Sequence, residues 1–174
     1  MSLKNFFGPK TLYFVCGKVY KDNSYANRIV HWFVQHGLPV IPITPTLGTV
    51  DLSVDYITAK RQPHLPTLKV LPSISVALEV LNKNDTNLKE KIDFVSISVN
   101  FVTPANITLQ ILKEIKACGA KIQACWFQPG SYDSACVNYA ENELQLGKEN
   151  VISDCVLVKG FANMCPSDIK PFTL

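Results

Sequence analysis

The segment Thr11-Leu12-Tyr13-Phe14-Val15-Cys16-Gly17 decides the fold of this chain. Six consecutive apolar or β-favouring residues are typical of a central strand buried on both faces, and the glycine ends the run. A polar loop over residues 18–24 follows, and the apolar residues of positions 25–36 then recur at helical spacing. Val40-Ile41-Pro42-Ile43 indicates a second, short strand. The pattern therefore predicts a strand–helix–strand unit of a parallel sheet.

The same alternation continues along the chain. It predicts further strands near residues 67–70, 92–99, 121–126 and 151–158. It also predicts helices that begin at Ser73, Thr103 and Asp133. Right-handed crossovers between parallel strands put helices on both faces of a sheet. We therefore expect an α/β fold, a Rossmann-like three-layer α/β/α arrangement with a mostly parallel sheet of five or six strands.

The length of 174 residues suits one domain. We assign residues 1–160 to that domain, with an unusually long excursion at about residues 47–68, and residues 161–174 to a C-terminal tail. In the helix that begins at Thr103, the spacing places four residues on the inward face. These are Ile107, Ile111, Ile115 and Cys118.

Composition narrows the class of ligand and partner. The net charge is +3, and no run of Lys or Arg is present, so a nucleic-acid partner is not expected. The apolar runs are too short for a membrane span, and the first ten residues do not resemble a signal peptide. We expect a cytoplasmic protein whose partner is a small anionic molecule. Trp32 and Phe33 are adjacent on one helix, so one of them could contact a second helix layer or the second copy of a homodimer.

No catalytic or metal-binding group emerges from the reactive side chains. The six cysteines form no Cys-x-x-Cys pair, and we expect most of them to be small core residues. Cys16 ends the first strand, where a thiol could form a mixed disulfide with a ligand, although burial in the strand is the favoured interpretation. His31 and His36 lie within the first helix and are interpreted as structural.

The candidate site lies at the carboxyl ends of the strands, where open α/β sheets bind ligands. The loop after the first strand opens a helix, and backbone N–H groups at a helix N-terminus attract phosphate. Gly17 is the loop's only glycine, so the G-x-G-x-x-G dinucleotide fingerprint is absent. The second strand ends in Thr44-Pro45-Thr46, without an acid that could bind a ribose. Both absences argue against a nicotinamide enzyme. Lys18, Lys21 and Arg28 add positive charge near the loop.

Several segments resemble a known family. Val15-Cys16-Gly17, Asn27-Arg28-Ile29-Val30 and the run from Gly37 to Pro45 are followed by Leu71-Pro72-Ser73-Ile74 and Trp126-Phe127-Gln128-Pro129-Gly130. In this order and spacing they resemble the small stand-alone CoA-binding domain proteins, which are similar to the CoA-binding domain of the succinyl-CoA synthetase α subunit. The resemblance covers roughly residues 10–158. It implies a Rossmann-type domain that binds coenzyme A.

The resemblance, together with the loop positions, gives the predicted ligand-binding residues. They are Gly17, Lys18, Val19, Tyr25, Asn27, Arg28, Thr44, Pro45, Asn100, Phe101, Gln128 and Gly130. Lys18-Val19 replaces the family's Ala-Ser, and Val102 replaces an arginine. We hypothesise that Lys60 or Arg61 of the excursion restores the lost charge.

The expected function is binding of coenzyme A or an acyl-CoA by a ligand-binding or regulatory protein without chemistry of its own. Two alternatives stay open. One is a nucleotide-dependent enzyme, either a nicotinamide oxidoreductase or an acyl-CoA-using transferase, against which the absence of an acid–base pair counts. The other is an interaction protein with a vestigial pocket.

Overall fold

The computed structural model describes residues 6–46, 48–82 and 94–164. In chain order the strands are β1 (Thr11–Cys16), β2 (Val40–Ile43), β3 (Thr49–Asp51), β4 (Thr67–Lys69), β5 (Ser96–Phe101), β6 (Ala124–Phe127) and β7 (Val151–Ser153). The helices are α1 (Tyr25–Gln35), α2 (Tyr56–Arg61), α3 (Ile74–Asn82), α4 (Ala105–Ala117), α5 (Ser134–Asn138) and α6 (Val156–Asn163). Short 3₁₀ turns at Leu52–Val54 and Lys148–Asn150 and a π turn at Tyr139–Glu143 complete the described elements.

Five parallel strands form the central sheet, in the order β2-β1-β5-β6-β7. The chain starts at β1, moves outward to β2 and then returns to the other side of β1 with β5. The strand order therefore reverses between β1 and β5, which is the position where open α/β sheets bind ligands. The Rossmann-like α/β fold expected from the sequence is confirmed.

Helices cover both faces of this sheet. Because strand side chains alternate, Val15 packs with α1 and α6, whereas its neighbour Cys16 packs with α3, α4 and α5. The α1 layer contains Phe33 and Trp126, both fully buried. The opposite layer contains Phe101 and Phe127, whose ring centroids are 5.3 Å apart. The two faces together give the expected three layers.

The excursion forms a small unit of its own. β3 and β4 pair in an antiparallel ladder, and α2 lies between them in the chain. A strand at about residues 67–70 is confirmed as β4, but it belongs to this second sheet and not to the central one. The unit is held to α1 by a buried contact, in which His31 Nδ1 and Thr58 Oγ1 are 3.0 Å apart.

The C-terminal region differs from the sequence-based expectation. The strand predicted over residues 151–158 ends at Ser153, and α6 takes its place from Val156. A helix forms because Gly160 lets it pack closely on α1: a Cβ atom there would lie 2.6 Å from Trp32 Cη2. Trp32 thereby contacts α6, which lies in the same helix layer as α1. The helix extends past residue 160, residues 165–174 lie outside the described part, and the division into a domain and a tail stays a prediction.

Two other elements are displaced from their predicted positions. β5 runs to Phe101, beyond the predicted end at residue 99, and β6 begins at Ala124 rather than residue 121. Residues 92 and 93, which the prediction included in β5, lie outside the described residues. The strand ends are set by their partners across the sheet, since β5 continues until Val102 N–H donates to Cys16 O.

The inward face of α4 is also different. Thr108, Leu112 and Ile115 are buried, whereas Ile107 and Cys118 are exposed and Ile111 is half-buried. The predicted stripe is therefore right for Ile115 and wrong for Ile107 and Cys118, while the half-buried Ile111 packs against the edge of the core. The buried face of α4 is rotated from the predicted one toward Thr108 and Leu112. Asp133 caps α5 as expected, but α5 ends at Asn138 instead of residue 146.

Candidate functional site

A cavity of about 820 Å³ opens at the carboxyl ends of β1, β2 and β5. It lies where the strand order reverses. Its walls are the loop between β1 and α1, the first turn of α1, the loop after β2, the start of α3 and one face of α4. The volume is within the range of small-molecule sites in proteins.

Gly17 lies where the first turn of α1 and the residue after β5 come close together. A Cβ atom at this position would lie 3.0 Å from Ala26 Cβ and 3.1 Å from Val102 Cβ. All three residues line the cavity. Any side chain larger than a hydrogen would therefore push α1 and the residue after β5 apart.

The loop after β1 and the first turn of α1 present unpaired backbone donors. The N–H groups of Lys18, Tyr25 and Ala26 have no acceptor within the described residues. The neighbouring donors are occupied, since Asn27 N–H donates to Ser24 Oγ at 3.1 Å and Arg28 N–H donates to Ser24 O at 2.9 Å. Unpaired N–H groups and the helix dipole make such a position attractive to a phosphate.

Two side-chain hydrogen bonds hold the loop that carries these donors. Asn27 is buried, and its Nδ2 donates to Val19 O at 2.8 Å. Ser24 Oγ donates to Lys18 O at 2.8 Å, which closes the loop across six residues. Val19 itself is fully buried in the α1 layer. Asn27 and Val19 therefore support the loop, and the exposed Lys18 is left at the cavity wall.

One face of α4 forms a mixed wall of the cavity. Ile107, Gln110, Ile111 and Glu114 lie at positions i, i+3, i+4 and i+7, and all four line the cavity. Glu114 Oε1 accepts hydrogen bonds from Ser75 N–H at 3.1 Å and from Ser75 Oγ at 2.8 Å. Both bonds use the same oxygen, so Glu114 Oε2 has no hydrogen-bond partner among residues 6–46, 48–82 and 94–164.

A buried polar network lies on the opposite face of the sheet. Gln128 Oε1 accepts from Tyr25 Oη at 3.1 Å and from Val156 N–H at 3.0 Å. Gln128 Nε2 therefore donates to Asn100 Oδ1, at 2.5 Å. Tyr25 Oη lies 2.8 Å from Cys155 Sγ, and because the phenol hydrogen is given to Gln128, the thiol is the donor of this contact. Burial, followed by the hydrogen bond with Cys155, raises the pKa of Tyr25, which keeps the phenol neutral.

The structure divides the twelve predicted ligand-binding residues into two equal groups. Six line the cavity: Gly17, Lys18, Tyr25, Thr44, Pro45 and Gly130. The other six lie outside its lining: Val19, Asn27, Arg28, Asn100, Phe101 and Gln128. Of these, only Arg28 is exposed, and its guanidinium lies 5.9 Å from the centre of the Tyr25 ring. Whether either group contacts a ligand stays a prediction.

The hypothesis that Lys60 or Arg61 restores positive charge at the site does not fit the structure. Arg61 Nη1 donates to Gln35 O at 3.3 Å, at the C-terminal end of α1. The cavity lies at the N-terminal end of that helix, and neither Lys60 nor Arg61 lines it. Neither residue is placed to restore charge at this cavity, where the positive charge of the lining is that of Lys18.

The described cysteines are free thiols, and three of them are buried in the core. Cys16 and Cys125 are fully buried, and burial raises the pKa of both thiols, which removes the basis for a reactive Cys16. Cys16, Cys118, Cys125, Cys136 and Cys155 are all free thiols. Within the described ranges no three His, Cys, Asp or Glu side chains cluster as a metal site would require.

None of the described helices is long and apolar enough to cross a membrane.

Sequence reasoning missed the α4 wall. Ile107 and Ile111 were assigned to the core, and Gln110 and Glu114 were given no role. The available signal was the interleaving of two polar residues with two apolar ones along a single helical stripe, which is unusual for a core face.

The comparison with known families decides the identity of the fold. The family model described as the CoA binding domain matches residues 11–160 of this chain. The chain belongs to the CoA-binding domain family. No curated protein matches it by sequence. The matched residues of this CoA-binding domain include every wall of the cavity, and they end within α6.

Proposed function

We propose that this CoA-binding domain holds the diphosphate of coenzyme A, or of an acyl-CoA, in the loop between β1 and α1. The observation that carries the proposal is the group of three unpaired N–H donors, on Lys18, Tyr25 and Ala26, at the wall of an open cavity. Because Gly17 has no side chain, a ligand's phosphate has room to approach the backbone there.

Charge supports the same placement. Lys18 is exposed at the cavity wall and stands where the family pattern seen in the sequence has a small residue. An ammonium group can supply charge-assisted hydrogen bonds to phosphate oxygens in place of a hydroxyl. The altered Lys18-Val19 pair is therefore compatible with binding, since Val19 turns into the core and Lys18 turns outward.

The role proposed is that of a ligand-binding protein without chemistry of its own. The cavity is lined by apolar side chains, one ammonium group, one carboxylate and uncharged polar groups. Cys16, the buried residue before Gly17, does not line the cavity, and burial and the nearby Glu114 charge raise the pKa of its thiol, so it is a poor nucleophile.

The test is calorimetric titration of the full chain with coenzyme A, acetyl-CoA, NAD, NADP and ATP. We expect coenzyme A to bind, and Lys18→Ala to weaken its binding about tenfold through the lost charge-assisted contact. Lys21→Ala is the matched control, because Lys21 is exposed in the same loop and does not line the cavity. If none of the five nucleotides produced binding heat, the proposal would be refuted, and an interaction protein with a vestigial pocket would be favoured.

A further inference from the structure

Phosphate binding does not explain the side chains that α4 contributes to the cavity lining. Diphosphate recognition uses the loop between β1 and α1, yet Glu114 places a carboxylate in the lining of the same cavity. A negative charge disfavours the phosphates of a ligand at this wall. It suits a part of the ligand that is uncharged and donates hydrogen bonds.

The hydrogen bonds of Glu114 define which of its atoms is available. Ser73 Oγ lies 3.1 Å from Ser75 Oγ, and Ser75 Oγ donates to Glu114 Oε1. Ser75 N–H donates to the same oxygen. These bonds fix the carboxylate against the start of α3 and leave Oε2 as the acceptor for a ligand.

The neighbours of Glu114 restrict the shape and polarity of the partner. Ile107 and Ile111 on α4 line the cavity together with Pro72 and Ile74 from the start of α3. Apolar walls of this kind suit the faces of a planar ring. Gln110, one helical turn (four residues) before Glu114 in the lining of the cavity, adds an amide that can donate to a ring nitrogen.

We propose, on the basis of the proposed function, that Glu114 selects adenine by accepting a hydrogen bond from its exocyclic 6-amino group. Adenine presents a donor at this position and an acceptor nitrogen beside it, whereas hypoxanthine and guanine present an oxygen. An oxygen facing the carboxylate leaves two acceptors opposed, which is unfavourable. An acyl chain would satisfy the apolar walls but would leave the carboxylate unused. The ligand therefore binds with its phosphates at Lys18 and its base against α4.

The experiment compares coenzyme A with its hypoxanthine analogue, in which oxygen replaces the 6-amino group. Titration of the wild-type chain should show binding of coenzyme A at least about tenfold tighter than that of the analogue. Glu114→Gln should reduce this ratio to one or below, because the glutamine oxygen stays with Ser75 and its amide nitrogen then presents a donor to the analogue's oxygen. Glutamine keeps an oxygen for Ser75, so the start of α3 should stay in place. An unchanged melting temperature of the Glu114→Gln variant should confirm this.

Glu141→Gln is the matched control, since Glu141 is partly exposed and does not line the cavity, and its ratio should equal that of the wild type. Equal affinity of the wild type for both compounds would overturn base selection while leaving coenzyme A binding intact. A Glu114→Gln variant with undiminished preference would overturn the role of Glu114. Absence of binding by both compounds would overturn the proposed function and this inference with it.

Discussion

Gln128 Oε1 accepts a hydrogen bond from Val156 N–H, so the residue after β6 caps the first turn of α6. The same oxygen accepts from Tyr25 Oη in the first turn of α1. One fully buried amide therefore ties together two helices and the end of a strand. The stability of this corner depends on an acceptor at residue 128.

Replacement of this amide should be costly. Gln128→Leu leaves Val156 N–H without its acceptor and deprives Asn100 Oδ1 of its donor, and each buried polar group left unpaired costs about 1–3 kcal/mol. We expect the free energy of unfolding, measured in urea, to fall by about 2–5 kcal/mol. Gln110→Leu is the same change at an exposed position and should shift it by less than about 0.5 kcal/mol. Equal effects of the two substitutions would contradict this account.

Gly17→Ala should damage both binding and stability. The added Cβ would meet Ala26 Cβ at 3.0 Å and Val102 Cβ at 3.1 Å. Overpacking of this kind costs about 1–3 kcal/mol, and the displaced wall should weaken coenzyme A binding at least about tenfold. Gly48→Ala is the control, because a Cβ atom there has no neighbour within 4 Å. Calorimetry and urea unfolding measure the two effects, and unchanged affinity in Gly17→Ala would argue against the loop as the binding site.

His31 should make stability depend on pH near neutrality. Burial lowers the pKa of His31 despite the opposing charges of Asp55, Asp22 and Asp51. An unfolded histidine titrates near 6.5, so at lower pH the unfolded chain binds a proton that the folded chain resists. The free energy of unfolding should therefore decrease as the pH falls from about 7.5 to about 5.5.

The decrease should be shallower in His31→Asn, by at most about 1.4 kcal/mol per pH unit. His64→Asn changes an exposed histidine and should keep the wild-type slope. Burial also lowers the pKa of His36, so part of the slope should persist in the His31 variant. Urea unfolding at several pH values gives the slopes, and identical slopes for all three chains would exclude His31 as the source.

Thiol labelling should follow burial. Cys118 is exposed, whereas Cys16 and Cys125 are fully buried with pKa values raised by burial. We expect an alkylating reagent at pH 8 to modify Cys118 first and to reach Cys16 and Cys125 only after unfolding. Mass spectrometry of peptides from native and urea-unfolded protein provides the measurement. Rapid native labelling of Cys16 would contradict its burial in β1.

Sequence patterns predicted β1 and α1 well because each is a long run with a distinct pattern and a clear boundary residue. The run that ends at Gly17 is buried on both faces, and the apolar residues that recur at helical spacing in α1, such as Ala26, Ile29 and Phe33, are buried. The segment after Ser153 was misread, since a short apolar run does not distinguish a strand from a helix. What decides it is the packing of Gly160 on Trp32, a contact between residues distant in the chain.

The candidate site was predictable in position but not in composition. The rule that ligands lie beyond the carboxyl ends of parallel strands pointed to Gly17, Thr44 and Gly130, all of which line the cavity. It did not separate residues in the wall from those beneath it, such as Asn100, because polarity alone does not tell a ligand contact from an internal hydrogen bond. Ile107 was misassigned for the related reason that an apolar cavity wall and a core face have the same spacing.

Tyr25 belongs to two environments at once. Its backbone N–H faces the cavity, while its hydroxyl contacts Cys155. Asp154, the preceding residue, accepts a hydrogen bond from Trp126 Nε1 at 2.6 Å. A movement of the first turn of α1 is therefore transmitted through two hydrogen bonds to the buried indole of Trp126 on the same side of the sheet, so the fluorescence of this indole should report on that movement.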